Sequence, residues 1–196
     1  MPTPLIGIAG RIGAGKDTIA AHLRDRHGYA ILRFSTALKA EVKARFRRTL
    51  TVIAGLNGMQ PSGREGWSDF LDWLLMVAKP PGIRELLQEY GTEVRRQDDP
   101  AYWVNPWSRT YTQHRTRRPE IPVVVPDVRF SNEAHAIAQA GGVIIRVERA
   151  ALGVYDPMDH ASEIGLSRYA YTHVFYNNDT ILALTEAVDQ WLAARD

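Results

Sequence analysis

The chain has 196 residues, of which 45% are hydrophobic and 23% charged, and its formal net charge is +2. These values are typical of a globular protein with a buried core, and they exclude a disordered, collagen-like or coiled-coil chain. Cysteine is absent, which excludes disulfides and thiolate metal sites. No apolar run approaches the roughly 20 residues that cross a bilayer, and no secretory leader is visible, so we expect a cytoplasmic protein without a membrane partner.

Short apolar segments and helical patterns alternate along the chain. The predicted strands are rich in Ile, Val and Leu, as expected for strands covered on both faces: Leu5–Ala9, Ala30–Phe34, Ile121–Val125, Val143–Val147 and Val174–Tyr176. The predicted helices are Lys16–Arg26, Thr36–Ala54, Ser68–Ala78, Ile83–Gln97, Ala101–Gln113, Asn132–Ala140 and Thr180–Ala194. Pro106 should kink the fifth of these or lie in its first turn. The alternation predicts a three-layer α/β/α protein with a five-stranded parallel sheet, whose ligands bind beyond the carboxyl ends of the strands.

The segment between the first strand and the first helix is Gly10-Arg-Ile-Gly-Ala-Gly15-Lys16. It matches G-x-x-x-x-G-K in the strand–loop–helix context that this phosphate-binding motif requires. Its glycines allow successive backbone N–H groups to face a phosphate, and the lysine reaches the β- and γ-phosphates. We therefore expect ATP at this loop and a catalytic role for Lys16. The expected ATP contacts here are Arg11, Gly13, Ala14, Gly15, Lys16, Asp17 and Thr18.

Two carboxylates are candidate ligands of the metal ion that accompanies ATP. Asp17 follows the motif lysine, where a hydroxyl is usual; it either reaches Mg²⁺, directly or through water, or caps the helix. Asp127 follows the strand Ile121–Val125, and in P-loop enzymes an aspartate at this place orients Mg²⁺. Arg129, two residues further, is expected at the same sheet edge with its guanidinium directed at a phosphate. Asp127 and Arg129 are therefore interpreted as catalytic together with Lys16.

The chain offers more cations than the three phosphates of ATP need. Ser35 and Lys39 lie where the second strand enters a helix, Arg95 lies in a later helix, and Arg64 and Trp67 end the loop 56–66. This surplus indicates that the acceptor is itself phosphorylated. Because a phosphate monoester is mostly an anionic nucleophile at pH 7, the transfer needs no general base.

The remaining predictions concern a lid over ATP and the part of the site that binds adenine. Arg149 leads out of the fourth strand into a segment of about 149–161, which we predict to be a lid over ATP. Arg149 itself is expected to contact ATP, either by stacking on adenine or by touching a phosphate. His160, in this segment, is interpreted either as a lid or acceptor contact or as a surface histidine. Asn178 is placed near adenine, although a helix cap explains its neighbourhood equally well.

Within one domain, 1–196, the segment of about 36–116 is predicted to be an acceptor-binding helical insertion.

In these motifs the chain resembles the bacteriophage-type deoxynucleoside monophosphate kinases of the P-loop NMP-kinase group. The resemblance rests on segments 13–18, 34–39, 86–96, 102–104, 127–133 and 160–163, in the family's order. It implies a P-loop NMP-kinase-like fold and transfer of the γ-phosphoryl group from ATP, with Mg²⁺, to a dNMP for DNA precursor synthesis. If a phage encodes the chain, the location is the host cytoplasm. The acceptor contacts that it implies are Ser35, Lys39, Arg64, Trp67, Arg95, Arg129, His160 and Glu163.

Two alternatives remain open at this point. The same segments resemble, more loosely, animal-type phosphomevalonate kinases; Trp67, Phe70 and Trp73 favour a flat base, but core packing explains them nearly as well. The basic residues between Arg24 and Arg48 motivate a nucleic-acid-binding protein, which no recognition-helix or RNA-binding signature supports. The sequence also leaves open which bases are accepted and whether the chain forms a homodimer.

Overall fold

A parallel β-sheet is the centre of the first of two units into which the chain divides, Met1–Phe34 with Val104–Asp196. The computed structural model describes residues 5–61, 66–153, 166 and 169–195. Among these, the strands are β1 (Leu5–Ala9), β2 (Ala30–Ile31), β3 (Val123–Val125), β4 (Val143–Glu148) and β5 (His173–Tyr176). They pair in parallel in the order β2-β3-β1-β4-β5, which confirms the predicted five-stranded parallel sheet.

Helices cover both faces of this sheet. They are α1 (Lys16–His27), α7 (Val104–Arg117), α8 (Ser131–Gln139) and α9 (Ile181–Ala193). Alternate residues of β1 point to opposite faces: Ile6 and Ile8 pack with residues of α1 and α9, whereas Leu5 and Ala9 pack with residues of α7 and α8. The predicted three-layer α/β/α arrangement is therefore confirmed in this unit. Pro106 lies in the first turn of α7, one of the two expected outcomes.

The strand order produces a crevice at the carboxyl edge of the sheet. The chain runs from β1 by way of α1 to β2 on one side, and from β3 by way of α8 to β4 on the other side of β1. Loops that leave neighbouring strands in opposite directions separate above β1, and ligands of open α/β sheets bind at such a point. The loop after β1 begins there.

The second unit, Ser35–Trp103, is helical. Its described helices are α2 (Ser35–Arg45), α3 (Arg47–Leu56), α4 (Trp67–Trp73), α5 (Pro81–Gln88) and α6 (Arg95–Asp98), with π-helical segments at Leu74–Ala78 and Glu89–Val94. Val42, Leu50, Leu71 and Ile83 belong to its own hydrophobic core. This unit therefore has a core separate from those that pack on the sheet.

Several predicted elements differ from the structure in their bounds, and two of them differ most. The predicted helix Thr36–Ala54 divides at Phe46, whose φ of −114° and ψ of 26° are not helical. The ring of Phe46 contacts Tyr90 edge-on, with the centroids 5.0 Å apart, so a tertiary contact accompanies the break. The predicted strand Ala30–Phe34 pairs as a strand only at Ala30–Ile31.

None of the helices within the described ranges is long and apolar enough to cross a membrane.

Candidate active site

The loop between β1 and α1, residues 10–15, is called the glycine loop below. It needs its glycines for conformation and for space. Gly10, Gly13 and Gly15 have φ values of 141°, 80° and 112°, which L side chains rarely adopt. A Cβ at Gly10 would also collide with the carbonyl oxygen of Val147, which is backbone and cannot move aside cheaply. The loop is therefore held against the end of β4 and can present backbone N–H groups to an anion.

Lys16 is the first residue of α1, and its side chain folds back over the loop. Its Nζ donates hydrogen bonds to the carbonyl oxygens of Gly10, 2.6 Å away, and Arg11, 2.7 Å away. Only 8% of the residue is exposed. A buried ammonium group needs such acceptors, because burial without hydrogen bonds is costly. The result is a fixed positive charge at the N-terminus of a helix, where anions are also favoured by the helix dipole.

Asp17 does not act as the N-cap of α1. The N-cap residue is Gly15, which has no side chain with which to cap the helix. The carboxylate of Asp17 is largely exposed and pairs with Arg33, with Oδ1 and Nη2 2.6 Å apart. Thr18, the next residue, is half-buried on α1. The carboxylate therefore remains at the solvent side of the glycine loop.

Asp127 lies beside the glycine loop because of the strand register. Leu5 and Gly7 of β1 pair with Val123 and Val125 of β3, so the two strands reach the carboxyl edge together. The half-buried Asp127 carboxylate accepts a hydrogen bond from the backbone N–H of Phe34, 3.1 Å away. This bond joins the segments that follow β2 and β3, and it orients the carboxylate.

Glu133 fixes the segment that carries Arg129. The residue is 2% exposed, and its carboxylate accepts hydrogen bonds from the backbone N–H groups of Arg129, at 2.7 Å, and Phe130, at 3.1 Å. Glu133 occupies the third helical position of α8, so it satisfies N–H groups at the helix start. Glu133 lies in the motif 127–133, but no role was predicted for it; a glutamate at the third position of a helix was the available signal.

A cavity of about 370 Å³ adjoins the glycine loop in the sheet unit. It is lined by residues that include Arg11, Ala14, Arg146, Arg149, Tyr176 and Asn178. Three of the predicted ATP contacts that lie far apart in the sequence, Arg11, Arg149 and Asn178, are thus brought together. The structure adds Arg146 and Tyr176, which the sequence analysis did not assign.

Hydrogen bonds connect the walls of this cavity. Arg11 Nη1 donates to the carbonyl oxygen of Leu152 at 2.7 Å, and Asn178 Oδ1 accepts from the backbone N–H of Ala150 at 2.8 Å. Asn177 Nδ2 donates to the carbonyl oxygen of Ala14 at 2.8 Å. The described start of the predicted lid, a 3₁₀ turn at Ala150–Leu152, is thereby tied to the glycine loop. The rest of the predicted lid, including His160, and also Glu163 lie outside the described residues.

In the helical unit, Arg95 is held in a polar cluster with Glu41. Arg95 pairs with the Glu41 carboxylate and donates from Nε to the Tyr90 hydroxyl at 2.9 Å. Its guanidinium carbon lies 5.2 Å and 4.9 Å from the ring centroids of Tyr90 and Tyr102. Both tyrosine hydroxyls donate to Glu41, at 2.6 Å and 3.0 Å. Burial opposes ionisation of Glu41, but the hydrogen bonds from Tyr90, Arg95 and Tyr102 outweigh it and lower the pKa of this carboxyl.

The other residues predicted to bind the acceptor have varied environments in this unit. Ser35 begins α2, and Lys39, on its second turn, is only 7% exposed. Trp67 begins α4, is 45% exposed and contacts Phe70 edge-on. Arg64 lies outside the described residues.

The parallel sheet, its strand order and the glycine loop with its buried lysine define the chain as an α/β protein of the P-loop kinase fold class. A family model for deoxynucleotide monophosphate kinases matches residues 65–188. The chain is 31% identical over 186 residues to a protein of Acanthamoeba polyphaga mimivirus named as a candidate deoxynucleotide monophosphate kinase, and the alignment covers 90% of each chain. The chain therefore belongs to the deoxynucleotide monophosphate kinase family, and it is a phosphotransferase.

A solved structure agrees with the fold. The crystal structure of TT1252 from Thermus thermophilus superposes with a TM-score of 0.51 and 20% sequence identity, over 99% of this chain and 98% of that one. At this identity the similarity concerns the fold alone.

Proposed function

We propose that this kinase transfers the γ-phosphoryl group of ATP to a deoxynucleoside monophosphate at the carboxyl edge of β1 and β3. The observation that carries the proposal is the glycine loop with its buried Lys16, beside Asp127, which follows the neighbouring strand β3. Membership of the deoxynucleotide monophosphate kinase family supports the choice of acceptor. The products are a deoxynucleoside diphosphate and ADP.

The donor ATP is assigned to the glycine loop and the adjoining cavity. Backbone N–H groups of the loop and Nζ of Lys16 bind its phosphates, for which Lys16 exchanges its hydrogen bonds to Gly10 and Arg11. The nucleoside part occupies the cavity beside Arg149 and Asn178. Arg11 takes part mainly by joining the loop to Leu152.

The residues at this edge fit Mg²⁺ as the accompanying ion. Asp17 and Asp127 offer carboxylate oxygens, the ligand type that Mg²⁺ prefers, and the ion characteristically keeps several waters. Asp127 is oriented by the N–H of Phe34, and Asp17 is exposed to solvent. When bound, Mg²⁺ neutralises charge on the transferring phosphates. The two carboxylates hold it, directly or through water.

The acceptor phosphate supplies the nucleophile in this reaction. Its second pKa is near 6, so at pH 7 an anionic oxygen is available without a general base. That oxygen forms a bond to the γ-phosphorus as the bond from the γ-phosphorus to the β–γ bridging oxygen breaks. ADP departs with the bridging oxygen, and no proton is transferred when the acceptor is a dianion. Lys16 and Arg129 stabilise the charge that spreads over the phosphoryl oxygens.

Acceptor binding is assigned to Lys39 and Arg129 for the phosphate and to Trp67 for the base. The buried lysine at the second turn of α2 and the partly exposed indole support these roles. Arg95 contributes a positive charge to acceptor binding, although the carboxylate of Glu41 already neutralises part of that charge. Ser35, Arg64, His160 and Glu163 complete the proposed set.

An ADP-release assay with a panel of acceptors tests the proposed function. The panel contains the four common dNMPs, their ribose counterparts and phosphomevalonate, each with ATP and Mg²⁺. We expect at least one dNMP to support turnover that exceeds ATP hydrolysis without acceptor, and Lys16→Met to lower that turnover about 10²–10³-fold or more. Turnover with phosphomevalonate alone would assign the chain a different acceptor, and no turnover with any phosphate ester would reject the proposal.

A further inference from the structure

Two histidines and an aspartate converge on one point of the unit that contains the sheet. They lie on helices rather than in the loops at the carboxyl edge of the sheet. His22 and His27 lie on α1, and Asp189 lies on α9. The Nε2 atoms of His22 and His27 are 2.6 Å and 2.7 Å from the same oxygen, Oδ1 of Asp189. All three ligand atoms lie within 4.8 Å of one another. Nothing in the proposed phosphoryl transfer uses this cluster.

The helices that carry the cluster are fixed by the core beneath it. Leu23 of α1, next to His22, and Val188 of α9, next to Asp189, are both fully buried in one hydrophobic cluster. The two imidazole rings contact each other edge-on, with centroids 5.6 Å apart. The three donors are thus presented by packed helices, which limit their positions more closely than loops would.

The donor set fits a divalent transition metal. Two imidazole nitrogens and one carboxylate oxygen are ligands that Zn²⁺ accepts, commonly with water as a fourth ligand. Mg²⁺ prefers oxygen ligands in near-octahedral geometry, so it does not fit this site. Bonds of about 2.0–2.1 Å in a tetrahedral site place ligand atoms about 3.3 Å apart. The two nitrogen–oxygen distances therefore need to increase by only about 0.6 Å, which rotation of the side chains supplies.

Access to the cluster is also suitable. The side chains of His27 and Asp189 are 33% and 44% exposed, whereas that of His22 is 14% exposed. An ion from solvent can therefore reach the convergent atoms from one side, with His22 as the inner ligand.

We propose that His22, His27 and Asp189 form a binding site for a divalent transition-metal ion, with Zn²⁺ the best match to its ligands. The bound ion joins the C-terminal end of α1 to α9. Since α1 begins at Lys16, the ion stabilises the helix that carries the phosphate-binding lysine. This site is separate from the Mg²⁺ proposed for ATP, because it takes nitrogen ligands and lies on the helical layer.

Zinc titration of the untagged full chain, without nucleotide, tests the site. We expect isothermal titration calorimetry to give one Zn²⁺ per chain and Mg²⁺ to give no binding at the same site. A Zn²⁺ concentration about 100 times Kd should raise Tm by about 5 °C or more, since a ligand that binds only the folded state stabilises it. Co²⁺ in place of Zn²⁺ should give the visible absorption bands of a tetrahedral nitrogen–oxygen site.

Matched variants decide whether these residues are the ligands. His22→Gln with His27→Gln should weaken Zn²⁺ binding at least about tenfold and abolish the Co²⁺ bands, because glutamine retains hydrogen bonding but not imidazole coordination. Asp189→Asn provides a second variant if the double variant fails to fold. His135→Gln removes an exposed histidine elsewhere and should change nothing. Unchanged Zn²⁺ binding in both cluster variants, or no binding to the wild type, would overturn the proposal.

Discussion

The backbone N–H of Phe34 donates a hydrogen bond to the carboxylate of Asp127, 3.1 Å away. The two residues follow neighbouring strands, so a side chain that we assign to Mg²⁺ also fastens the end of β2. One residue thus carries a structural contact and a proposed catalytic charge, and substitutions can separate these contributions.

Asp127→Asn keeps an oxygen acceptor for the N–H of Phe34 but removes the negative charge. We expect kcat to fall about 10²-fold or more with little change in Tm, because the loss concerns charge at the reacting phosphates. Asp127→Ala also leaves the N–H of Phe34 without this acceptor and should lower Tm by a few degrees. The measurements are steady-state kinetics and thermal unfolding by circular dichroism. Normal kcat in Asp127→Asn would contradict the proposed role.

Lys16→Met removes the ammonium group and keeps most of the apolar side chain. We expect kcat to fall about 10²–10³-fold or more, since a fixed charge at the developing phosphoryl charge is lost. Lys43→Met is the matched control, because Lys43 pairs with Asp72 at 2.6 Å on the surface of the helical unit. Wild-type kinetics in Lys16→Met would reject the glycine loop as the donor site.

Gly10→Ala tests whether the loop conformation depends on close approach to β4. The new Cβ would meet the carbonyl oxygen of Val147, so we expect both a lower Tm and loss of turnover. Gly28 ends α1 with φ of 71° and has nothing within 4 Å of a Cβ position. Gly28→Ala should therefore cost only the backbone strain, about 1–2 kcal/mol, and leave kcat unchanged. Equal effects of the two substitutions on Tm and kcat would show that the Val147 contact is unimportant.

The sequence predicts the sheet well because its strands are continuous apolar runs between helical patterns. It overestimates β2 because Phe34 gives its N–H to the Asp127 side chain, 93 residues away, instead of continuing the strand. It misses the break at Phe46 because the contact of Phe46 with Tyr90 is tertiary. Local periodicity contains no information on such contacts.

In the candidate site, too, local features are recognisable in the sequence and tertiary contacts are not. The glycine loop and Asp127 are recognisable because their spacing and strand context are local. The pairing of Arg95 with Glu41, 54 residues earlier, and the convergence of His27 on Asp189, 162 residues later, are not. The sequence therefore suffices to propose the phosphate contacts and the Mg²⁺ ligands, but neither the partners that orient or neutralise them nor the histidine–aspartate cluster.

Glu41→Gln tests the polar cluster around Arg95 through its pH dependence. Since the hydrogen bonds lower the pKa of Glu41 in the folded state, its ionised form stabilises the protein above its ordinary pKa of 4.5. This stabilisation is lost as the pH falls through the lower folded-state pKa. We therefore expect Glu41→Gln to lower Tm by about 5 °C at pH 7 and by less at pH 3. A difference in Tm that is the same at both pH values would show that the charge of Glu41 does not stabilise the fold.

Lys39→Met tests the assignment of donor and acceptor roles to different cations. Loss of a charge-assisted hydrogen bond to the acceptor phosphate should raise the KM for the dNMP about 10–100-fold while the KM for ATP changes little. Lys43→Met, four residues later on α2, is again the control, because its ammonium group already binds Asp72 and Ser68. Initial rates measured over a grid of both substrate concentrations separate the two constants. If Lys39→Met raises both KM values equally, Lys39 serves the reaction only through the fold, and the acceptor phosphate has to be bound by other cations.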